Sequence, residues 1–178
     1  MGQNFGTILI KRKEILDDRE LTEVLSKISD QFEKVKEGLT YQQFTEEKWN
    51  RNTEGLIGFF KNRKIIIIED EYDLIKNDLL KEMSKNLKTE VIRATNSDTV
   101  GISMIQIYEN GELIRMKSYG LENDLDRLSG NELKSVKGIG KLTKYEEKGS
   151  NAISVFNSFI SGKVEISTIK EMMIFKEK

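Results

Sequence analysis

The densest apolar–polar patterning in the chain lies between Thr89 and Tyr119, in the run TEVIRATNSDTVGISMIQIYENGELIRMKSY. Asn110-Gly111 supplies two residues that tolerate positive φ, as a two-residue type I′ hairpin turn requires. Before it, Ile102, Met104, Gln106 and Tyr108 alternate with Ser103, Ile105 and Ile107, apolar on nearly both faces, which predicts a central strand. After it, Leu113, Ile114, Met116 and Tyr119 interleave with Arg115 and Lys117, which predicts a strand with one wet face. Asn96-Ser97-Asp98 reads as a second turn, because short polar side chains bond their own backbone there. Residues 90–94 then form the strand that enters it, and the whole is a three-strand antiparallel meander.

The remaining elements follow the same logic. Phe5–Lys11 is a short apolar strand. Asp17 or Asp18 opens a helix on which Leu21, Val24, Leu25 and Ile28 share one face. Residues 31–38 read as a strand ended by Gly38. Tyr41, Phe44 and Trp49 stand in a polar stretch that reads as an outer strand, and Leu56–Phe60 as a segment packed loosely on the core. Lys64-Ile65-Ile66-Ile67-Ile68 is β-branched and continuous, a buried strand. Asp70 would cap the next helix, with Glu71 and Asp73 on its positive end and Tyr72, Ile75, Leu79, Leu80 and Met83 as its apolar stripe to near Leu87. Residues 120–137 read as a polar loop, 138–140 as a turn, and 150–160 as a third helix. Met172–Phe175 ends the reading as a terminal strand or an apolar tail. The prediction is a single α+β domain over residues 1–178: a mostly antiparallel sheet of about five to seven strands, with two or three helices packed on one face and Arg115 and Lys117 on the open one.

Composition narrows the chemistry. The 29 basic and 30 acidic residues leave a formal net charge of −1, which gives no support to a nucleic-acid partner. Cys and His are both absent, so thiolate nucleophiles, Ser-His-Asp triads and ordinary zinc sites are excluded. The N-terminal residues lack a basic signal-peptide region, Gly6 stands where a myristoylation motif wants Ser or Thr, and no apolar run reaches membrane-spanning length. A cytoplasmic protein without membrane partner or cofactor is expected.

The run from Lys64 to Glu71 resembles the first strand of a two-component receiver domain, where acidic residues at a strand end hold Mg²⁺ beside a phosphoacceptor. The resemblance does not extend: over sixty residues precede this strand, and no later Asp closes a parallel strand. Helix capping explains Asp70, Glu71 and Asp73 as well, with a lone cation site the other reading. Gly138-Ile139-Gly140-Lys141 lacks phosphate-loop spacing.

A wider resemblance covers residues 55–121. An apolar strand, an acidic helix start, a helix ending in Leu87-Lys88-Thr89, a strand, a polar turn and then Tyr108-Glu109-Asn110-Gly111 followed by Arg115 resemble a group of small bacterial stand-alone α+β proteins with a YENG…R hairpin. Some of these look like immunity proteins of toxin systems. The motif is structural and carries no catalytic residues.

Two functions are therefore expected. The first is a non-enzymatic protein-binding domain, an immunity or inhibitor protein whose acidic loop, with Glu122, Asp124, Asp126 and Glu132, contacts a toxin-like enzyme. The alternative is a small-ligand or anion sensor in which Arg93, Arg115 and Lys117 line one face of the meander. Trp49, with Tyr41 and Phe44, reads equally as core or interface.

Overall fold

The computed structural model describes residues 4–11, 18–51, 56–61, 65–70, 74–97, 102–119 and 171–178. The strands are β1 (Asn4–Lys11), β2 (Phe32–Leu39), β3 (Leu56–Lys61), β4 (Ile65–Glu69), β5 (Val91–Ser97), β6 (Ile102–Glu109), β7 (Glu112–Tyr119) and β8 (Met172–Glu177). The helices are α1 (Asp18–Ser29), α2 (Tyr41–Arg51) and α3 (Asn77–Asn86). All eight strands form one sheet in the order β2-β8-β3-β4-β1-β5-β6-β7, antiparallel at every junction. The fold is α+β, with more strands than the sequence suggested. The strand not read as one is β3, and the terminal segment takes the strand alternative as β8; the two pair with each other in the interior of the sheet.

Alternation along the strands divides the sheet into two apolar faces. On the first, Ile8, Ile10, Ile57, Phe59, Ile66, Ile68, Val91, Tyr108 and Phe175 pack with Val24 and Ile28 of α1 and Leu79, Leu80 and Met83 of α3. On the second, Leu9, Ile67, Ile92, Ala94, Ile105, Ile107, Met172 and Ile174 are also buried. Among the described residues the open, wet face expected from the sequence is not seen: Arg115, assigned to it, is only 8% exposed. The three-isoleucine core of β4 has the continuous character of a strand covered on both sides.

Helix α2 supplies part of that second cover and corrects the reading of Tyr41, Phe44 and Trp49 as an outer strand. Thr40 and Gln43 form a reciprocal capping box: Gln43 N donates to Thr40 Oγ1 at 3.1 Å, and Thr40 N donates to Gln43 Oε1 at 2.9 Å. The helix docks by its buried Phe44, and Lys36 of β2 pairs with Glu47. Phe44 fits because Gly58 has no side chain. A Cβ at Gly58 would lie 2.5 Å from Phe44 Cζ and 2.9 Å from Met172 Cε. Residues 56–60, expected to pack loosely, are thus a tightly packed inner strand between β8 and β4.

Helix α3 starts at Asn77, later than the acidic run suggested, and has no side-chain cap at Lys76. Its other end closes with a paired Schellman pattern: Lys88 N donates to Lys85 O and Thr89 N to Ser84 O, with Lys88 at φ 48° where Gly is usual. Buried Ser84 then ties α3 to the hairpin by accepting from Gly111 N at 2.9 Å. Asn110 and Gly111 have φ of 52° and 85°, as the Asn-Gly turn predicts. Asn96 and Ser97, read as a turn, continue β5 instead.

Both edge strands are bulged. On β2, Lys34 and Lys36 face consecutive residues of β8, leaving Val35 as the extra residue. On β7, Leu113 and Arg115 face consecutive residues of β6, leaving Ile114 as the extra residue. Val35 and Ile114 are the exposed large apolar side chains among the described residues, at 44% and 37%. The sequence segments 120–137, 138–140 and 150–160 lie outside the described residues, as do Glu71, Tyr72 and Asp73.

Gly58→Ala should destabilise the fold by about 1–3 kcal/mol in urea unfolding, because the new methyl overpacks against Phe44. Combined with Phe44→Ala, it should cost less than the sum of the two single changes, since the second removes the ring that the first displaces.

Candidate functional site

The first sheet face holds a buried polar cluster where β4, β5 and α3 converge. Asp70 directly follows β4, and its backbone N donates to Gly6 O at 2.8 Å. Its carboxylate accepts from Leu74 N at 2.8 Å and Ile75 N at 2.9 Å, which turns the chain towards α3. Arg93 reaches across from β5. Its Nη2 donates to Asp70 Oδ2 at 3.1 Å and to the carbonyl of Ile75, and its Nη1 donates to Asn77 Oδ1 at 3.1 Å. Asp70 and Arg93 are 1% and 2% exposed, so both charges lie in a weakly screening interior where only mutual pairing and saturated hydrogen bonding make them tolerable.

Gln106 stands directly across from Arg93 in the β5–β6 register. It is buried, yet its Oε1 has no hydrogen-bond partner. Such an orphaned acceptor costs on the order of 1–3 kcal/mol. The next residue outward in its row is Met116 of β7, and Thr95 and Met104 fill the row beside it, all three half-buried.

The β7 bulge explains this arrangement and corrects the expectation that Arg93, Arg115 and Lys117 line one face. The hairpin pairs Glu109 with Glu112 and Tyr108 with Leu113. Continued without interruption, that register would set Arg115 opposite Gln106, beside Arg93. The extra residue Ile114 advances β7 by one, so Met116 faces Gln106 and Arg115 faces Ile107. Arg115, and the position of Lys117 opposite Ile105, therefore belong to the second face, and Arg93 to the first.

A smaller polar group lies on the second face. Thr7 Oγ1 donates to Glu69 Oε1 at 3.1 Å, and both residues are buried. Burial, assisted by the Glu69 carboxylate, pushes the Tyr41 phenol up to about 12. Its ring leans on Phe44, with centroids 6.4 Å apart.

Among the described residues no group of three or more acidic side chains could hold a metal ion. No helix among them is long and apolar enough to cross a membrane. Of the cation reading on Asp70, Glu71 and Asp73, the structure describes Asp70 alone, and its carboxylate is engaged by backbone and Arg93. The acidic residues Glu122, Asp124, Asp126 and Glu132 lie outside the described residues. Trp49 lies in α2. Gln106 was absent from the sequence-based candidates because its significance depends on the bulge, which no turn or charge pattern marks.

Comparison of the chain with protein-family models, curated proteins and solved structures found no match.

Arg93→Met should destabilise the protein by about 3–5 kcal/mol, because it leaves the Asp70 charge buried and unpaired. Adding Asp70→Asn should recover part of that loss in chemical denaturation. A separate effect is expected in alkali. The neutral Tyr41 phenol is favoured in the folded state, so stability falls as pH rises from the ordinary tyrosine value of 10 towards about 12. Tyr41→Phe should make that decline shallower when unfolding free energy is measured across this range.

Proposed function

We propose that this chain is a non-enzymatic protein-binding domain whose partner docks on the β6–β7 hairpin and the adjoining edge of the sheet. Exposed Ile114 carries the reading. It stands on an edge strand, held outward by a bulge, with exposed Glu109 and Glu112 at the neighbouring turn. An apolar side chain held out from a rigid strand, beside carboxylates, suits a partner with an apolar socket and a basic rim. The bulge also disfavours simple strand-to-strand addition, so recognition would run through side chains.

The form of this function that we favour is an immunity or inhibitor role against a basic, toxin-like enzyme in a bacterial cytoplasm. The hairpin resemblance supports it, and so does the acidic composition of residues 122–132. Those residues would extend the contact through Asp124 and Asp126.

The test is an affinity capture from the native cells with wild-type, Ile114→Val and Ile114→Arg baits. A stoichiometric basic protein should be held by the first two. The Arg variant should weaken it by roughly thirtyfold or more, the scale of losing an interface anchor worth about 2 kcal/mol. Reversing Asp124 and Asp126 to Lys should lower affinity further at low salt. Equal capture by the Ile114→Arg bait would remove the hairpin edge as the binding surface.

A further inference from the structure

The row formed by Arg93, Gln106 and Met116 lies on the sheet face opposite the one that takes Arg115. We infer that Gln106, with Met104, Met116 and Thr95 around it, binds a small neutral molecule that presents an N–H or O–H donor on an apolar body.

Three observations define the ligand chemistry. Gln106 is 5% exposed and its Oε1 has no hydrogen-bond partner, so this position calls for a donor. The adjacent charges are already matched: Arg93 donates to Asp70, Asn77 and the Ile75 carbonyl, which leaves no net field favouring an ion. The surroundings are two half-buried thioethers, from Met104 and Met116, and the half-buried Thr95. Methionine is flexible and polarisable, and it adapts to flat apolar or aromatic bodies.

The β7 bulge gives the site its character. In an uninterrupted hairpin register Arg115 would stand opposite Gln106 on the β7 side, as Arg93 does on the β5 side. The bulge sets a thioether there instead. A buried acceptor left unpaired at a cost to stability, beside a thioether where the unbulged register would set a charged residue, is the pattern of a position serving binding more than folding.

The test uses the full chain labelled at its methionine methyl groups, with Met104→Leu and Met116→Leu spectra to assign the two signals. Indole is the donor probe, and benzofuran is its isostere with a ring oxygen in place of N–H. Indole should shift the Met104 and Met116 methyl resonances and bind roughly tenfold more tightly than benzofuran, the worth of one hydrogen bond to a buried acceptor. Gln106→Leu should abolish that preference and raise the thermal midpoint of the free protein by about 2–4 °C, because it removes the orphaned oxygen. Equal binding of the two probes, unmoved methionine signals, or a lowered midpoint in Gln106→Leu would each overturn the assignment.

Discussion

The Asp70–Arg93 pair is the constraint on which the first layer of the protein depends. One carboxylate holds the backbone that leads out of β4, receives the guanidinium of β5 and fixes the approach to α3. Asn77, the first residue of the helix, is held by the same Arg93. Helix α3 lacks a side-chain cap of its own, so its starting point is set through this pair. The other end of α3 is fixed independently, by the Schellman closure at Lys88 and by the Ser84 bond to the hairpin turn. The helix is thus pinned to β5 at its start and to the β6–β7 turn near its end, and the polar row containing Gln106 lies beneath that bracket.

The second layer obeys a different rule. Its described helix, α2, is short and polar, and it rests on the sheet largely through one ring in the space above a glycine. The apolar side chains of β1, β4, β5 and β6 on that face are nonetheless fully buried. At the margins, each edge strand is bulged, β2 at two places and β7 at one, and each has a bulge that breaks the regular ladder and throws an apolar side chain outward. Such bulges hinder pairing with another chain, so Val35 and Ile114 are exposed without offering a flat strand for aggregation.

Much of this was readable from residue order. The Asn-Gly hairpin, the apolar stripe of α1, the buried β4 and the fold class all follow from periodicity and turn chemistry. The capping box of α2 was also written in the chain, as Thr40 followed by Gln43, but the aromatic content of the segment suggested a strand. Continuous apolar runs in β1 and β4 already signalled cover on both faces, against the expectation of a wet one. The placement of Arg115 was not readable. Turn type fixed the pairing near Asn110, and a single unmarked bulge three residues past Gly111 reversed the face of every later side chain. The Lys88 helix ending was hidden for a similar reason, since glycine and not lysine marks that conformation.

The position of β8 has a consequence for how the chain is made. β2 pairs only with β8 in the described sheet, and β8 emerges from the ribosome more than a hundred residues later. At ordinary elongation speeds of about 5–20 residues per second, β2 waits on the order of ten seconds for its partner. Its sequence suits that delay: Glu33, Lys34, Lys36 and Glu37 surround Val35 with charge and keep the waiting segment hydrated. This side of the sheet is therefore a late, long-range assembly step, while the β5–β6–β7 meander forms from neighbours and can be in place before β8 is translated.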